Sequence, residues 1–275
     1  MNSSRPEMNP HMKRWATGVI AVPILIGIIA YGPEEMFTLL IAFATLAGMA
    51  EYNRMVFGKG FRWEKAETLV VALFTLLAAA AGDRALLTAV LSFAVMVILM
   101  LNLLRVDEEG LDMIRVGKVI VGIMYIPLLL SHFILIRQTS SGVYWIFFIL
   151  VLAFSGDIAA YYVGSRMGKT KLLPKVSPGK TVEGTIGLVV GSIAGALLFR
   201  QLFFPLLPVP HAVIMALVGS IAGQLGDLCE SVLKRTAGVK DSGAMLPGHG
   251  GILDRLDCLM FITPFVYYYR VFIIR

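Results

Sequence analysis

Nine apolar stretches, each close to the length that crosses a bilayer, dominate this 275-residue sequence. A helix needs about 20 mostly apolar residues to span the hydrocarbon core. The stretches are 15–31, 36–52, 67–82, 85–104, 117–136, 143–164, 184–204, 210–233 and 252–273. Strands of a membrane barrel would alternate apolar and polar residues, and runs such as LVVALFTLLAAAA do not alternate. The sequence therefore predicts an all-α polytopic integral membrane protein with about nine transmembrane helices.

The composition excludes the other common classes of protein. Hydrophobic residues make up 57% of the chain and charged residues only 15%, with a mean hydropathy of +0.80. Soluble domains carry about 25% charged residues, so too little polar surface is present for a soluble fold. The same composition excludes a disordered chain and a disulfide scaffold. In a membrane protein the net charge of +6 indicates cationic cytoplasmic loops, so we expect membrane lipids and no nucleic acid as partners.

The distribution of lysine and arginine predicts the orientation of the chain. The side that holds the N-terminus and every second loop carries 18 of these residues, and the other side carries 5. Cationic loops stay in the cytoplasm, which predicts a cytoplasmic N-terminus and a C-terminus on the opposite side. We expect the protein in the cytoplasmic (inner) membrane with its active site facing the cytoplasm. Residues 1–14 are interpreted as a disordered tail or a remnant of the expression vector.

The predicted helices fall into two parts of different character. Residues 15–136 form five almost purely apolar helices, interpreted as a lipid-facing scaffold. Residues 143–275 form four helices with cytoplasmic loops at 165–183 and 234–251, interpreted as the catalytic region. Ionisable residues appear inside spans from residue 155 onward, and intramembrane charge by default indicates a functional site. No internal repeat is visible, which disfavours an inverted-repeat transporter.

Small residues in the seventh and eighth spans predict close helix packing. Gly187, Gly191 and Gly195 recur every four residues and share one helix face. Such a face lets a neighbouring helix approach closely. Gly219 and Gly223 indicate the same for the eighth span.

Two of the polar clusters lie around the sixth span and the loop after it. The spacing of Asp157, Tyr161, Gly164 and Ser165 places them on one helix face. The loop GKTKLLPKVSPGKTVEGT places lysines beside glycines and hydroxyls. Lysine supplies point charge and backbone N–H groups can cradle phosphate oxygens, so this loop suits a polyphosphate. Its TVEG segment is expected to cap the seventh span.

The other two clusters lie at the end of the eighth span and the start of the ninth. Asp227, Glu230, Ser231 and Lys234 follow one face of the eighth span. A turn rich in glycine and proline, KDSGAMLPGHGG, then leads to the acidic segment ILDRLD. Carboxylate oxygens are the ligands that magnesium prefers, and magnesium often bridges to phosphate. Together the four clusters predict phosphoryl or nucleotidyl chemistry on a lipid at the cytoplasmic membrane surface.

The segment Ser231–Asp257, SVLKRTAGVKDSGAMLPGHGGILDRLD, resembles the signature of the phosphatidate cytidylyltransferases, also called CDP-diacylglycerol synthases. The fixed positions of that signature are matched by Ser231, Lys234, Arg235, Lys240, Asp241, His249, Gly250, Gly251, Asp254, Arg255 and Asp257. The segments SPGKTVEG and FSGDIAAYY also look like this family. The resemblance covers residues 155–258 well.

The resemblance implies an enzyme of phospholipid biosynthesis that converts CTP and phosphatidate to CDP-diacylglycerol and pyrophosphate. It implies magnesium as cofactor, leaves room for a second divalent or monovalent cation, and leaves a homodimer open. The catalytic set is expected to be Asp227, Asp254, Lys234, Arg235, Lys240 and Arg255. The substrate-binding set is expected to be Lys175, Ser177, Lys180, Thr181, Glu183, Ser231, Asp241, His249, Gly250 and Gly251. The metal ligands are expected among Asp227, Asp254, Glu230, Asp257 and Asp157.

Two alternatives stay open from the residues themselves. The nearest is a CTP-dependent enzyme that acts on another lipid phosphate or on a polyprenol. The other is an ion-coupled transporter with Asp157, Asp227 and Asp254 as relay carboxylates.

Overall fold

The computed structural model describes residues 10–105, 112–245 and 250–274. Within these ranges the chain forms ten α-helices and one two-stranded antiparallel sheet. The helices are α1 (Pro10–Tyr31), α2 (Glu34–Phe57), α3 (Arg62–Ala80), α4 (Arg84–Leu103), α5 (Met113–Tyr125), α6 (Pro127–Arg137), α7 (Gly142–Met167), α8 (Val182–Phe203), α9 (Val209–Thr236) and α10 (Leu253–Tyr269). A π-helical turn, Arg270–Ile274, extends α10, and strands β1 (Lys171–Leu173) and β2 (Ser177–Thr181) lie between α7 and α8.

The predicted all-α membrane fold is confirmed. Among the described helical segments, seven are long and apolar enough to cross a bilayer, counting α5 with α6 as one and α10 with its π-helical turn as one. Helices α1 and α3 match the first and third predicted spans but are not among these seven. The apolar part of α1, Ala21–Tyr31, is short, and α3 begins with a charged turn. The count of nine spans and the sides of the termini therefore stay predictions.

The fifth predicted span, 117–136, is two helices rather than one. Helix α5 ends at Tyr125 and α6 begins at Pro127. Ile126 between them has φ −100° and ψ −71°, away from the regular helical values of about −63° and −42°. Pro127 lacks a backbone N–H and restricts the residue before it, which explains the break.

The predicted loop 165–183 contains regular structure. Helix α7 runs on to Met167, and the loop then folds into the β1–β2 hairpin, in which Lys171 pairs with Thr181. The predicted cap of the next helix is confirmed, because Thr181 Oγ1 accepts a hydrogen bond from Gly184 N at 3.1 Å. The Glu183 carboxylate accepts hydrogen bonds from Lys169 N at 3.1 Å and Thr170 N at 3.2 Å. These bonds fix the base of the hairpin on the first turn of α8.

The glycine face of α8 packs against α7 as predicted. A Cβ atom added to Gly187 would meet Val163, and one added to Gly191 would meet Ala159. A Cβ atom added to Gly195 would likewise meet Ser155. Helix α9 approaches α10 at Gly223, where a Cβ would meet Ile262. Close packing at these glycines therefore joins α7 to α8 and α9 to α10.

The N-terminal helices are not purely the apolar scaffold that the sequence predicts. At the charged start of α3, Glu67 pairs with Arg105 at 2.6 Å and the buried Glu64 pairs with Arg115 at 3.6 Å. Asn53 of α2 donates a hydrogen bond to Thr68 Oγ1 at 2.8 Å. Buried polar groups are stable when they are paired in this way, so the polar side chains at the start of α3 each have a partner on a neighbouring segment.

Candidate active site

A cleft of about 410 Å³ opens between α7, β2, α8 and α9. All four residues that the sequence placed on one face of α7 line it, namely Asp157, Tyr161, Gly164 and Ser165. The other polar lining comes from Lys180, Thr181, Thr185, Gln224 and Asp227. These four residues share one face of α7, as their helical spacing predicts, and the structure shows that this face lines the cleft.

An ion pair between Lys180 and Asp227 crosses this cleft. Strand β2 carries Lys180 to α9, where its Nζ lies 2.5 Å from Asp227 Oδ2. Ser231, one turn further along α9, donates a hydrogen bond to Asp227 Oδ1 at 3.4 Å. The Asp227 side chain keeps 36% of its surface exposed and Lys180 keeps 23%. Both groups are therefore paired and still accessible to a ligand in the cleft.

A second cation, Lys234, lies between two carboxylates near the C-terminal end of α9. Its ammonium pairs with Glu230 on the same helix and with Asp254 Oδ1 of α10 at 2.6 Å. The Glu230 side chain is fully buried. A buried carboxylate is stable only when it is paired, so Lys234 holds Glu230 and joins α9 to α10.

The turn before α10 wraps around the other oxygen of Asp254. Asp254 Oδ2 accepts hydrogen bonds from Ser242 N at 3.0 Å and Gly251 N at 2.8 Å, and it lies 2.9 Å from the Ser242 hydroxyl. Gly250 has φ +82°, and a Cβ there would lie 2.9 Å from Asp254 Oδ2. This left-handed conformation favours glycine, which explains why a glycine pair precedes Asp254.

A small cavity of about 40 Å³ adjoins the cleft and is lined by three carboxylates, Asp157, Asp227 and Asp257. Asp257 Oδ1 accepts a hydrogen bond from Cys258 N at 2.8 Å. Gln224 also faces this cavity, and its Nε2 donates a hydrogen bond to Thr185 Oγ1 at 2.7 Å. Its Oε1 is buried without a hydrogen-bond partner among the described residues. The sequence analysis missed Gln224, although a glutamine inside an apolar span was a usable signal.

The remaining predicted residues lie around these groups. Arg235 donates hydrogen bonds to Val239 O at 3.0 Å and Val176 O at 3.4 Å, which ties the end of α9 to the hairpin. Thr181 and Glu183 build the start of α8, and Gly250 and Gly251 belong to the turn around Asp254. The exposed residues are Lys175, Lys240, Asp241 and Arg255, and Ser177 is half-buried. His249 lies outside the described residues.

A buried carboxylate of α2, Glu51, was missed by the sequence analysis. It is fully buried and lies 3.0 Å from Ser242 Oγ, the hydroxyl that also contacts Asp254. Its position at the end of the second predicted span, 36–52, was an available signal, because ionisable residues within spans are rare.

The carboxylates of the small cavity have the donor chemistry for a hard cation. In the ranges that the structure describes, no three His, Cys, Asp or Glu side chains come together as a ready metal site. Magnesium, however, is commonly held by one or two carboxylates together with substrate phosphates. Asp157, Asp227 and Asp257 around one cavity fit that mode of binding.

The fold and the cleft together define an integral membrane enzyme. The chain belongs to the cytidylyltransferase family, whose model matches residues 12–273. The family predicted from the motif is therefore confirmed, whereas the roles of single site residues stay predictions.

Three proteins similar to this chain are each named phosphatidate cytidylyltransferase. The Bacillus subtilis protein is 42% identical over 64% of this chain and 65% of its own length. The Staphylococcus haemolyticus protein is 32% identical over 91% of this chain and 95% of its own length. The Synechocystis sp. protein is 32% identical over 95% of this chain and 97% of its own length.

Proposed function

We propose that this chain is a phosphatidate cytidylyltransferase of phospholipid biosynthesis, which converts CTP and phosphatidate to CDP-diacylglycerol and pyrophosphate. The observation that carries the proposal is the Lys180–Asp227 pair in an open cleft whose other wall is the polar face of α7. The names of the similar proteins support the same activity. The reaction has to bring two anions, CTP and phosphatidate, together. Lysines in the cleft can neutralise phosphate charge, and the carboxylates can bind a cation that does the same.

The proposed reaction needs little covalent chemistry from the protein. A phosphate oxygen of phosphatidate attacks the α-phosphorus of CTP, forming the new P–O bond. The bond from the α-phosphorus to the oxygen that bridges to the β-phosphate breaks, and pyrophosphate leaves. The nucleophile is already an anion, so no general base is required. Catalysis then depends on positioning and on neutralising charge, which we assign to Lys180, Lys234 and Arg235, with Lys240 and Arg255 as further cationic candidates.

We propose magnesium as the cofactor, with Asp227 and Asp254 as its principal ligands and Glu230, Asp257 and Asp157 as further candidates. The support is that Asp227 lines the small acidic cavity and that each principal carboxylate forms an ion pair with a lysine, Asp227 with Lys180 and Asp254 with Lys234. When bound, magnesium would polarise the phosphates of CTP and neutralise their charge. With magnesium on the carboxylates, Lys180 and Lys234 would be available to bind phosphate oxygens. Because Asp227 and Asp254 belong to separate ion pairs, the site is also compatible with a second cation.

We further propose that the cleft opens to the cytoplasm, where CTP is available. The excess of basic residues on one side supports this orientation. The same orientation predicts that the C-terminus lies outside the cytoplasm. A reporter fused to the C-terminus should therefore be active only if it is a reporter that works outside the cytoplasm. A C-terminal alkaline phosphatase should therefore be active and a C-terminal fluorescent protein that folds only in the cytoplasm should be dark. The reverse pattern would change the number of spans by one. A homodimer stays a prediction.

Lys180→Ala is expected to weaken the use of CTP more than it slows turnover. The substitution removes the only charge that β2 brings to the cleft lining, and a charged hydrogen bond to phosphate is worth about a tenfold change in affinity or more. The KM for CTP should rise by about tenfold, measured in detergent micelles with saturating phosphatidate. Lys171→Ala, on the exposed part of the same hairpin, is the matched control. An unchanged KM in Lys180→Ala would contradict a role in binding triphosphate.

The choice of lipid substrate is tested by pyrophosphate release. Purified protein should release pyrophosphate from CTP when phosphatidate is present, and not when diacylglycerol or a polyprenol replaces it. Release with another lipid phosphate but not with phosphatidate would favour the alternative CTP-dependent enzyme. Formation of CDP rather than pyrophosphate would indicate a kinase.

A further inference from the structure

Glu51 makes hydrogen bonds to residues that lie about 200 positions further along the sequence. Its Oε1 accepts from Ile252 N at 3.1 Å, and its Oε2 accepts from Leu253 N at 3.0 Å. Ser242 Oγ lies 3.0 Å from the same Oε2. The side chain is fully buried in α2, a helix that the proposed reaction does not otherwise use. Two backbone donors at the start of α10 and a hydroxyl within hydrogen-bond distance make this a specific connection and not a surface contact.

The bonds from Ile252 and Leu253 make Glu51 the cap of α10. The residue that precedes this helix, Ile252, has no side chain that can accept a hydrogen bond from the first turn. Helix N-termini leave backbone N–H groups unsatisfied and carry a partial positive charge. Glu51 supplies both the missing acceptor and a negative charge, from a helix far away in the sequence. The first turn of α10 is the turn that carries Asp254.

Ser242 connects Glu51 directly to Asp254. Its hydroxyl lies 3.0 Å from Glu51 Oε2 and 2.9 Å from Asp254 Oδ2. The glycines on either side of the turn make room for the Glu51 carboxylate, because a Cβ on Gly243 or on Gly251 would collide with it. Ser242 and Gly251 therefore lie between Glu51 and Asp254 and contact both carboxylates.

We propose that Glu51 is a positioning residue for the active site, which fixes Ser242, Gly251 and the start of α10 and so holds Asp254 in place. The inference rests on the proposed function for its effect on turnover. It also assigns a role to the N-terminal helices, which anchor the catalytic region through one buried carboxylate. Groups that orient a ligand residue typically affect activity by about 10- to 100-fold when they are lost.

The test compares Glu51→Gln with wild type by hydrogen exchange and by kinetics on the full-length protein. The amide of glutamine can accept at one atom only, so one of the two α10 donors loses its partner. The amide that loses its partner, of Ile252 or of Leu253, should exchange about tenfold faster, and amides in the middle of α3 should be unchanged. The kcat should fall by about tenfold or more, with the KM for CTP within about twofold.

Glu64→Gln is the matched control. Glu64 is also a buried carboxylate of the N-terminal helices, and it pairs with Arg115 at 3.6 Å. This variant should keep wild-type exchange at residues 252 and 253 and wild-type kcat. If Glu51→Gln does not yield folded protein, Glu51→Asp keeps the charge and shortens the reach by one methylene, and it should show the same two changes in the same direction.

Wild-type exchange at Ile252 and Leu253 in the Glu51 variants would overturn the proposal. Faster exchange with an unchanged kcat would overturn the positioning of Asp254. The exchange measurement needs no substrate, so it still decides the role of Glu51 in the turn if wild-type protein shows no cytidylyl transfer. That last result would contradict the proposed function and not the connection to the turn.

Discussion

Asp227→Asn and Asp254→Asn are each expected to lower the kcat of cytidylyl transfer by about a thousandfold while the protein stays folded. In this structure each carboxylate forms an ion pair with a lysine. Asp227 Oδ2 lies 2.5 Å from Lys180 Nζ, and Asp254 Oδ1 lies 2.6 Å from Lys234 Nζ. Asparagine has nearly the same shape but no charge, so it keeps the packing and loses the electrostatic role. Stabilisation of transition-state charge by a metal is worth several kcal/mol, which corresponds to a loss of this size.

The control for these two variants is Asp83→Asn. The Asp83 carboxylate caps α4 by accepting from Ala85 N at 2.8 Å, and it lies in an exposed position. Turnover with saturating CTP and phosphatidate, at several magnesium concentrations, should be normal in this control. If either active-site variant keeps a wild-type rate across that range, its residue is not a metal ligand.

Lys234→Met is expected to have the largest effect on stability. Methionine keeps much of the apolar stem but leaves Glu230 buried without its cation, and breaking one partner of a buried ion pair costs about 3–5 kcal/mol. Asp254 loses the same cation, so α9 and α10 also lose an ion pair between them. The expected result is a large fall in the free energy of unfolding in detergent, measured by chemical denaturation and followed by tryptophan fluorescence.

The double variant Glu230→Gln/Lys234→Met separates charge from packing. Because the uncompensated carboxylate is removed as well, most of the lost stability should return. Lys240→Met, at an exposed position after α9, should change the free energy of unfolding by no more than about 0.5 kcal/mol. A double variant that is as unstable as Lys234→Met alone would mean that packing, and not the buried charge of Glu230, causes the loss.

The parts of the site that depend on helical periodicity could be predicted from the sequence. Asp157 and Tyr161 lie one turn apart, as do Asp227 and Ser231, and helix geometry alone places each pair on one face. The structure confirms both faces, since Asp157 and Tyr161 line one cleft and Ser231 donates to Asp227. Local spacing was sufficient because the contact partners lie within one helix.

The parts that depend on distant contacts could not be predicted in this way. No local pattern indicates that Glu51 caps α10, since the two are separated by about 200 residues. The pairing of Lys180 with Asp227 depends on how β2 folds back over α9. The hairpin itself has strands of only three and five residues, too short for a clear period-two pattern. In each case tertiary packing and not local propensity decides the geometry.

The most direct test of the proposed function uses CTP labelled with ³²P at the α-phosphate. Purified wild-type protein is mixed with phosphatidate in detergent micelles, with magnesium or with an excess of chelator, and the label is followed into the lipid phase. We predict a lipid-soluble labelled product that requires both phosphatidate and magnesium and that is absent in Asp227→Asn. Folded wild-type protein that transfers no label to lipid, or that transfers it equally well in chelator, would contradict magnesium-dependent cytidylyl transfer at this site.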